Sequence, residues 1–126
     1  MKNKLLALSI VTLSAVFSSP QVLADEPKLL GRTIVLEKVS NNAIIPLNSC
    51  RYAKEITIRA DKDMEIQKAK FTFKNGETRT FSFRDDLKEG ERTKWRSFLY
   101  KRCIKKIQIF GKADDDRAGV RVYGKH

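Results

Sequence analysis

Alternation of apolar and polar side chains dominates this chain, and helical periodicity is scarce. Lys54 to Ala60 puts Ile56, Ile58 and Ala60 on one face and Thr57 and Arg59 on the other, the period of a half-buried strand. Met64 to Phe73 continues it, with Phe71 and Phe73 inward and Lys68, Lys70 and Thr72 outward. Asn75-Gly76 follows at once, and Thr78 to Phe83 returns with apolar Phe81 and Phe83 among polar Arg79, Thr80 and Ser82. Asn-Gly between two alternating segments predicts a hairpin, here with a type I′ turn, whose two central residues need positive φ.

Further strands are expected over Leu30–Val39 and, briefly, Ala43–Ile45, where Pro46 cannot donate to a ladder. Ile104 to Phe110 and Val120 to Tyr123, joined by the polar loop Lys112 to Asp116, predict a second hairpin. Asp85 to Arg102 is ambiguous: Trp95, Phe98 and Leu99 fit one helical face, and a short bent strand fits as well. Six to eight short strands with regularly spaced turns predict an all-β domain, a small antiparallel β-sandwich of two packed sheets.

The N-terminus breaks this pattern. Lys2 and Lys4 precede an apolar run from Leu5 to Phe17, then Ser18-Ser19-Pro20-Gln21 and Val22-Leu23-Ala24 before Asp25. That is the order of a secretory signal, expected to be cleaved after residue 24. The apolar run is about 13 residues, short of the roughly 20 that span a bilayer. Residues 25–126 are then the single mature domain, in a periplasmic or secreted location. Export places Cys50 and Cys103 in an oxidising compartment, where an even count suggests one bridge. Neither cysteine belongs to a Cys-x-x-Cys pair, which argues against a redox role.

Charge changes the picture next. The formal net charge is +11, and losing Lys2 and Lys4 leaves +9. Such an excess predicts attraction to anionic envelope lipid, lipopolysaccharide or acidic glycan, with an unidentified protein as the other candidate partner; nucleic acid is the less favoured anion. On the strand phases above, Arg59, Lys68, Lys70, Arg79 and Arg121 project from polar faces, and Lys101, Arg102, Lys105 and Lys106 crowd around the second cysteine. These nine are the candidate anion-binding residues, with Tyr100 and Tyr123 as stacking partners. The competing role for such lysines is to block edge-to-edge strand pairing.

Catalytic chemistry finds little support. The single histidine, His126, is the last residue. Asp114-Asp115-Asp116 is a weak candidate for calcium, without EF-hand spacing. Glu55, Glu65, Asp85 and Asp86 have no spacing that favours a glycosidase pair. Gly111 and Gly119 stand alone, so no phosphate loop and no cofactor are predicted.

Several segments resemble a known family. They are Lys28-Leu29-Leu30-Gly31, Leu47-Asn48-Ser49-Cys50, Ile56 to Asp61, Lys88-Glu89-Gly90-Glu91-Arg92-Thr93-Lys94-Trp95, Lys101-Arg102-Cys103 and Gly111. Together they resemble the YaaI-like family of small secreted bacterial proteins, a domain of unknown function, over almost the whole mature chain. This chain is more basic than that family leads one to expect. The resemblance implies export and a Cys50–Cys103 pair, and it implies no activity. Three roles follow as expectations: a non-enzymatic binding module with a basic face, a structural or stress-related envelope protein without a ligand, or, least favoured, an enzyme.

Overall fold

The computed structural model describes residues 26–38 and 43–126; the expected leader and its cleavage site lie outside the described residues. Six strands follow one another: β1 (Lys28–Leu36), β2 (Ala43–Ala60), β3 (Met64–Phe73), β4 (Thr78–Leu87), β5 (Arg96–Ala113) and β6 (Arg117–Lys125). No helix interrupts the described residues. All neighbours are antiparallel, in the spatial order β1-β6-β2-β5-β3-β4.

The all-β class and the strand number agree with the alternation in the sequence. The division into two sheets does not appear, because hydrogen bonds join all six strands into one open sheet. The reason lies in β2 and β5, each 18 residues long. The first part of β2 pairs with β5 and its last six residues pair with β6, while β5 also pairs with β3. Each long strand therefore changes neighbours along its length, and the sheet bends without breaking.

Two bulges mark the bend. Between the pairs Pro46↔Lys106 and Arg51↔Ile104, residues 47–50 of β2 face Lys105 alone. Between Ala53↔Arg102 and Glu55↔Ser97, residues 98–101 of β5 face Lys54 alone. Extra residues on one strand raise local twist and curvature. Pro46 sits where the first ladder breaks, so it interrupts the pairing as expected, yet the strand resumes instead of ending.

The hairpin at Asn75-Gly76 is present, with a different turn. Gly76 N–H donates to Phe73 O at 2.9 Å and Phe73 N–H donates to Glu77 O at 2.8 Å. Only Gly76 has positive φ, at 91°, so Lys74 and Asn75 form the turn and Gly76 the left-handed residue after it. The second expected hairpin is not formed. β5 and β6 are joined by a tight turn, but β2 lies between them in the sheet. The ambiguous 85–102 region holds no helix: β4 ends at Leu87, a turn follows in which Glu91 N–H donates to Lys88 O at 2.8 Å, and β5 begins at Arg96, so the spacing of Phe98 and Leu99 reflects the bulge in β5.

The inner face of the sheet carries the core. Ile56, Ile58, Ile66, Phe71, Ile104, Ile107, Ile109, Val120 and Val122 are fully buried. At one end Phe98 packs on Phe71, Phe73 and Phe81 with ring centroids 5.2–5.3 Å apart. Such aromatic pairs contribute about 0.5–1.5 kcal/mol each beyond their burial. Residues 90–93 run beside the last part of β2, through Ala60 N–H to Glu91 O at 2.9 Å and Thr93 N–H to Ile58 O at 2.8 Å. Buried Thr57 and Thr93 close this seam: the Thr57 hydroxyl donates to Thr93 O at 2.6 Å and the Thr93 hydroxyl accepts from Ile58 N–H at 3.0 Å.

Cys50 and Cys103 are disulfide-bonded between β2 and β5, with Cα atoms 5.2 Å apart. The 53-residue separation corresponds to about 4 kcal/mol of stabilisation in the chain-entropy account. The Cys50→Ala/Cys103→Ala double variant is expected to lose stability of that order in urea unfolding, with native-like β circular dichroism at zero denaturant. Gly111→Ala tests the packing of β5 against β3 at the other end of the strand. A Cβ there would stand 2.5 Å from the Glu65 carbonyl oxygen, so a loss of about 1–3 kcal/mol is expected in the same measurement.

Candidate functional site

Antiparallel register puts directly opposed residues on the same face of a sheet. On the outer face this produces a row of arginines. Arg32 of β1 is opposite Arg121 of β6, and Arg121 is opposite Arg59 of β2. Arg59 is in turn bridged to Arg92 of the 90–93 segment. Four guanidinium side chains thus spring from three neighbouring strands and one bridged segment, spaced at the sheet's interstrand distance of about 4.8 Å. The sequence reading contained Arg59 and Arg121 but missed Arg32 and Arg92. Arg32 lies on a strand with no partner assigned from sequence, and Arg92 in the ambiguous 85–102 segment, so only the pairing order could bring them in.

Like charges directly opposite one another destabilise a sheet. Relief in this row is local. Asp61, two residues beyond Arg59 on the same face, accepts from Arg121 Nε at 3.2 Å. Its carboxylate lies over Gly119, where an added Cβ would stand 2.7 Å from Asp61 Oδ2. Hydrogen bonding to Tyr123 first, then to Asp61, raises the Arg121 pKa above the ordinary arginine value, so this residue is charged at every working pH. Arg92 approaches the face of Tyr123, 5.9 Å from its centroid. Arg59 Nε is buried without a hydrogen-bond partner, an arrangement that ordinarily costs about 1–3 kcal/mol. Beyond Thr57↔Tyr123, the next charged pair on this face is of opposite sign: Lys125 is 3.9 Å from Glu55 and 4.4 Å from the centroid of Trp95.

The other basic candidates lie elsewhere. Lys68, Lys70 and Lys106 share the outer face of β3 and β5: Lys68 is opposite Phe110, Lys70 opposite Gln108 and Lys106 opposite Thr72. Lys68 stands 4.9 Å from the Phe110 centroid. Lys105 lines a shallow groove with Asn48, Ser49, Cys50 and Lys74 beside the disulfide. Arg79 departs from the expected polar face. It is opposite Phe71 and lies over Phe81 at 4.9 Å, where Arg96 also stacks at 5.0 Å, so the two cover the aromatic end of the core. Arg102 is opposite Ala53, pairs with Glu77, and stacks on Phe73 at 3.9 Å and Tyr100 at 5.0 Å. Lys101 is exposed on the β5 bulge. The nine candidates are therefore not one stripe; Arg59 and Arg121 belong to the arginine row, and Arg79 and Arg102 are tied to aromatic packing.

Among the described residues, no three carboxylate, histidine or cysteine side chains converge to hold a metal ion. Asp114, Asp115 and Asp116 lie on the exposed β5–β6 turn, where Asp116 is 3.9 Å from Arg117. No helix of the described residues is long and apolar enough to cross a membrane.

The comparisons with known proteins bear on the whole of this architecture. The family described as "Domain of unknown function (DUF2541)" matches residues 5–124. The chain belongs to that family. It is 28% identical to the UPF0412 protein YaaI of Escherichia coli strain K12 over 130 residues, covering 92% of this chain and 97% of the relative. The same figures hold for the UPF0412 protein YaaI of Shigella flexneri serotype 5b. No solved structure matches it. Membership of DUF2541 fits the resemblance seen in the sequence, and none of these names assigns a ligand or a reaction.

Two outcomes test the electrostatics. Asp61→Asn removes the carboxylate held by Arg121; a lower Tm at low salt is expected, recovered as salt screens the arginines. Glu77 titrates below the ordinary glutamate value of 4.5, first through hydrogen bonding with Asn75 and then through Arg102. A depressed carboxylate pKa contributes stability that is complete above the unfolded value and is lost as pH falls through the folded one. Glu77→Gln is therefore expected to lower Tm at pH 7 and to flatten its fall below pH 4.5, followed by thermal melts across the acid range.

Proposed function

We propose that this protein is an exported, non-enzymatic binding module that holds an anionic component of the bacterial envelope on its arginine row. The observation that carries the reading is the unbroken register Arg32–Arg121–Arg59–Arg92. Among the described residues, only Arg121 of the four has a close carboxylate partner in the row, Asp61. Guanidinium groups bind phosphate and carboxylate through paired N–H donors, with better-defined geometry than ammonium groups. A bound anion offsets the like-charge repulsion and stabilises the folded chain by mass action. Export is supported by the signal-like N-terminus and by the disulfide.

Titration of the purified, oxidised protein with lipopolysaccharide, an acidic glycan and inorganic sulfate tests this. Binding of at least one of them is expected to weaken about tenfold or more in Arg59→Gln/Arg92→Gln, a loss of about 1.4 kcal/mol. The Lys68→Gln/Lys70→Gln variant is expected to change it little. Equal weakening by both variants would mean that charge acts without a site. An intact mass beginning at Asp25 in the periplasmic fraction would establish the export step.

A further inference from the structure

The bulge in β5 is a feature separate from the arginine row. Phe98 is fixed in the aromatic cluster, and Arg102 and Cys103 are fixed by their partners Ala53 and Tyr52. The residues between them cannot lie flat against Lys54 and are forced outward. Leu99 consequently adopts φ 78°, a left-handed conformation that disfavours a leucine. Ser97 Oγ holds this geometry by accepting from Leu99 N–H at 2.9 Å. Leu99 is 74% exposed, Tyr100 59% and Tyr52, opposite Cys103, 55%. Exposed Lys101 and Lys54 flank them.

A strained backbone that gains no packing for its side chain points to a use outside the fold. We infer that the Leu99–Tyr100 bulge is a membrane-surface anchor, inserting Leu99 into the headgroup region of an anionic bilayer while Tyr100, whose hydroxyl accepts from Arg102 Nη1 at 3.1 Å, sits at the interface and Lys54 and Lys101 meet lipid phosphates. Charge complementarity selects this occupant: the apolar tip is small, the amphipathic Tyr100 borders it, and exposed Lys54 and Lys101 flank it. Tyrosine rings favour the membrane–water interface, and basic residues near it add attraction to anionic lipid.

The bulge's own strain supplies the test. Leu99→Gly relieves the left-handed conformation and removes the inserting side chain together. Its Tm is expected to equal or exceed that of the parent. Its binding to vesicles of three parts phosphatidylcholine to one part phosphatidylglycerol is expected to fall about tenfold in cosedimentation. In Tyr100→Trp, emission is expected to shift to the blue on those vesicles and to be quenched by brominated lipid, with neither change on phosphatidylcholine alone. Undiminished vesicle binding by Leu99→Gly, or an unquenched Tyr100→Trp, overturns the anchor. Vesicle binding lost in Arg59→Gln/Arg92→Gln and kept in Leu99→Gly would also overturn it, and would assign the membrane to the arginine row instead.

Discussion

The pairing of β2 with β5 is the constraint on which everything else rests. Each has a neighbour on both sides, so β6 and β1 hang from β2, and β3 and β4 hang from β5. The disulfide joins these same two strands on the outer face, near the point where residues 47–50 bulge. A crosslink there closes a long-range pairing at the centre of the sheet. Loop closure of that kind is the slow and entropically costly part of assembling a sheet from distant segments. The β3–β4 hairpin is local by comparison, whereas β6 joins β1 and β2 across still longer stretches of chain.

Both long strands carry a bulge, and the bulges have different consequences. The one in β2 brings Cys50 to the partner strand and leaves Lys105 opposite four residues. The one in β5 lies next to Phe98, whose ring contacts Phe71, Phe73 and Phe81. An anchored aromatic residue on one side and a crosslinked strand on the other leave the excess chain one direction to go. Leu99 is therefore exposed because its neighbours are so well buried.

Much of this was legible from residue order. The alternation of Ile56, Ile58 and Ala60 with Thr57 and Arg59 placed the inner face correctly, and Asn75-Gly76 marked a real hairpin. The cysteine count and compartment gave the bridge. Pairing order was not legible. β5 and β6 look like a hairpin because a short polar turn joins them, yet β2 separates them. Strand phase also failed at two arginines, one on an unbroken stretch of strand and one beyond a bulge. Arg79 alternates with Phe81 and so shares its face, while Arg102 turns inward after the extra residues at 98–101. Arg32 and Arg92 carried no local mark at all. Their importance arises from being opposite Arg121 and Arg59, a property of the assembled sheet.

The same reasoning separates the arginine row from the chain's general basicity. An excess of 26 lysines and arginines over 15 acidic residues could be spread across a surface with both signs interleaved, as happens where Lys112 faces Glu65. In the row it is not interleaved. Gly119 leaves space on this face for one carboxylate, Asp61, and that carboxylate engages Arg121. Arg32, Arg59 and Arg92 are left aligned across the sheet, and Arg59 keeps a buried donor without an acceptor. Lys68, Lys70 and Lys106 carry the same charge on flexible exposed stems, whose ordering around an anion has a larger entropic cost per hydrogen bond than that of a guanidinium fork. Net charge can draw an anion toward the whole protein, but the fixed geometry that would hold one is concentrated where the register stacks arginine on arginine.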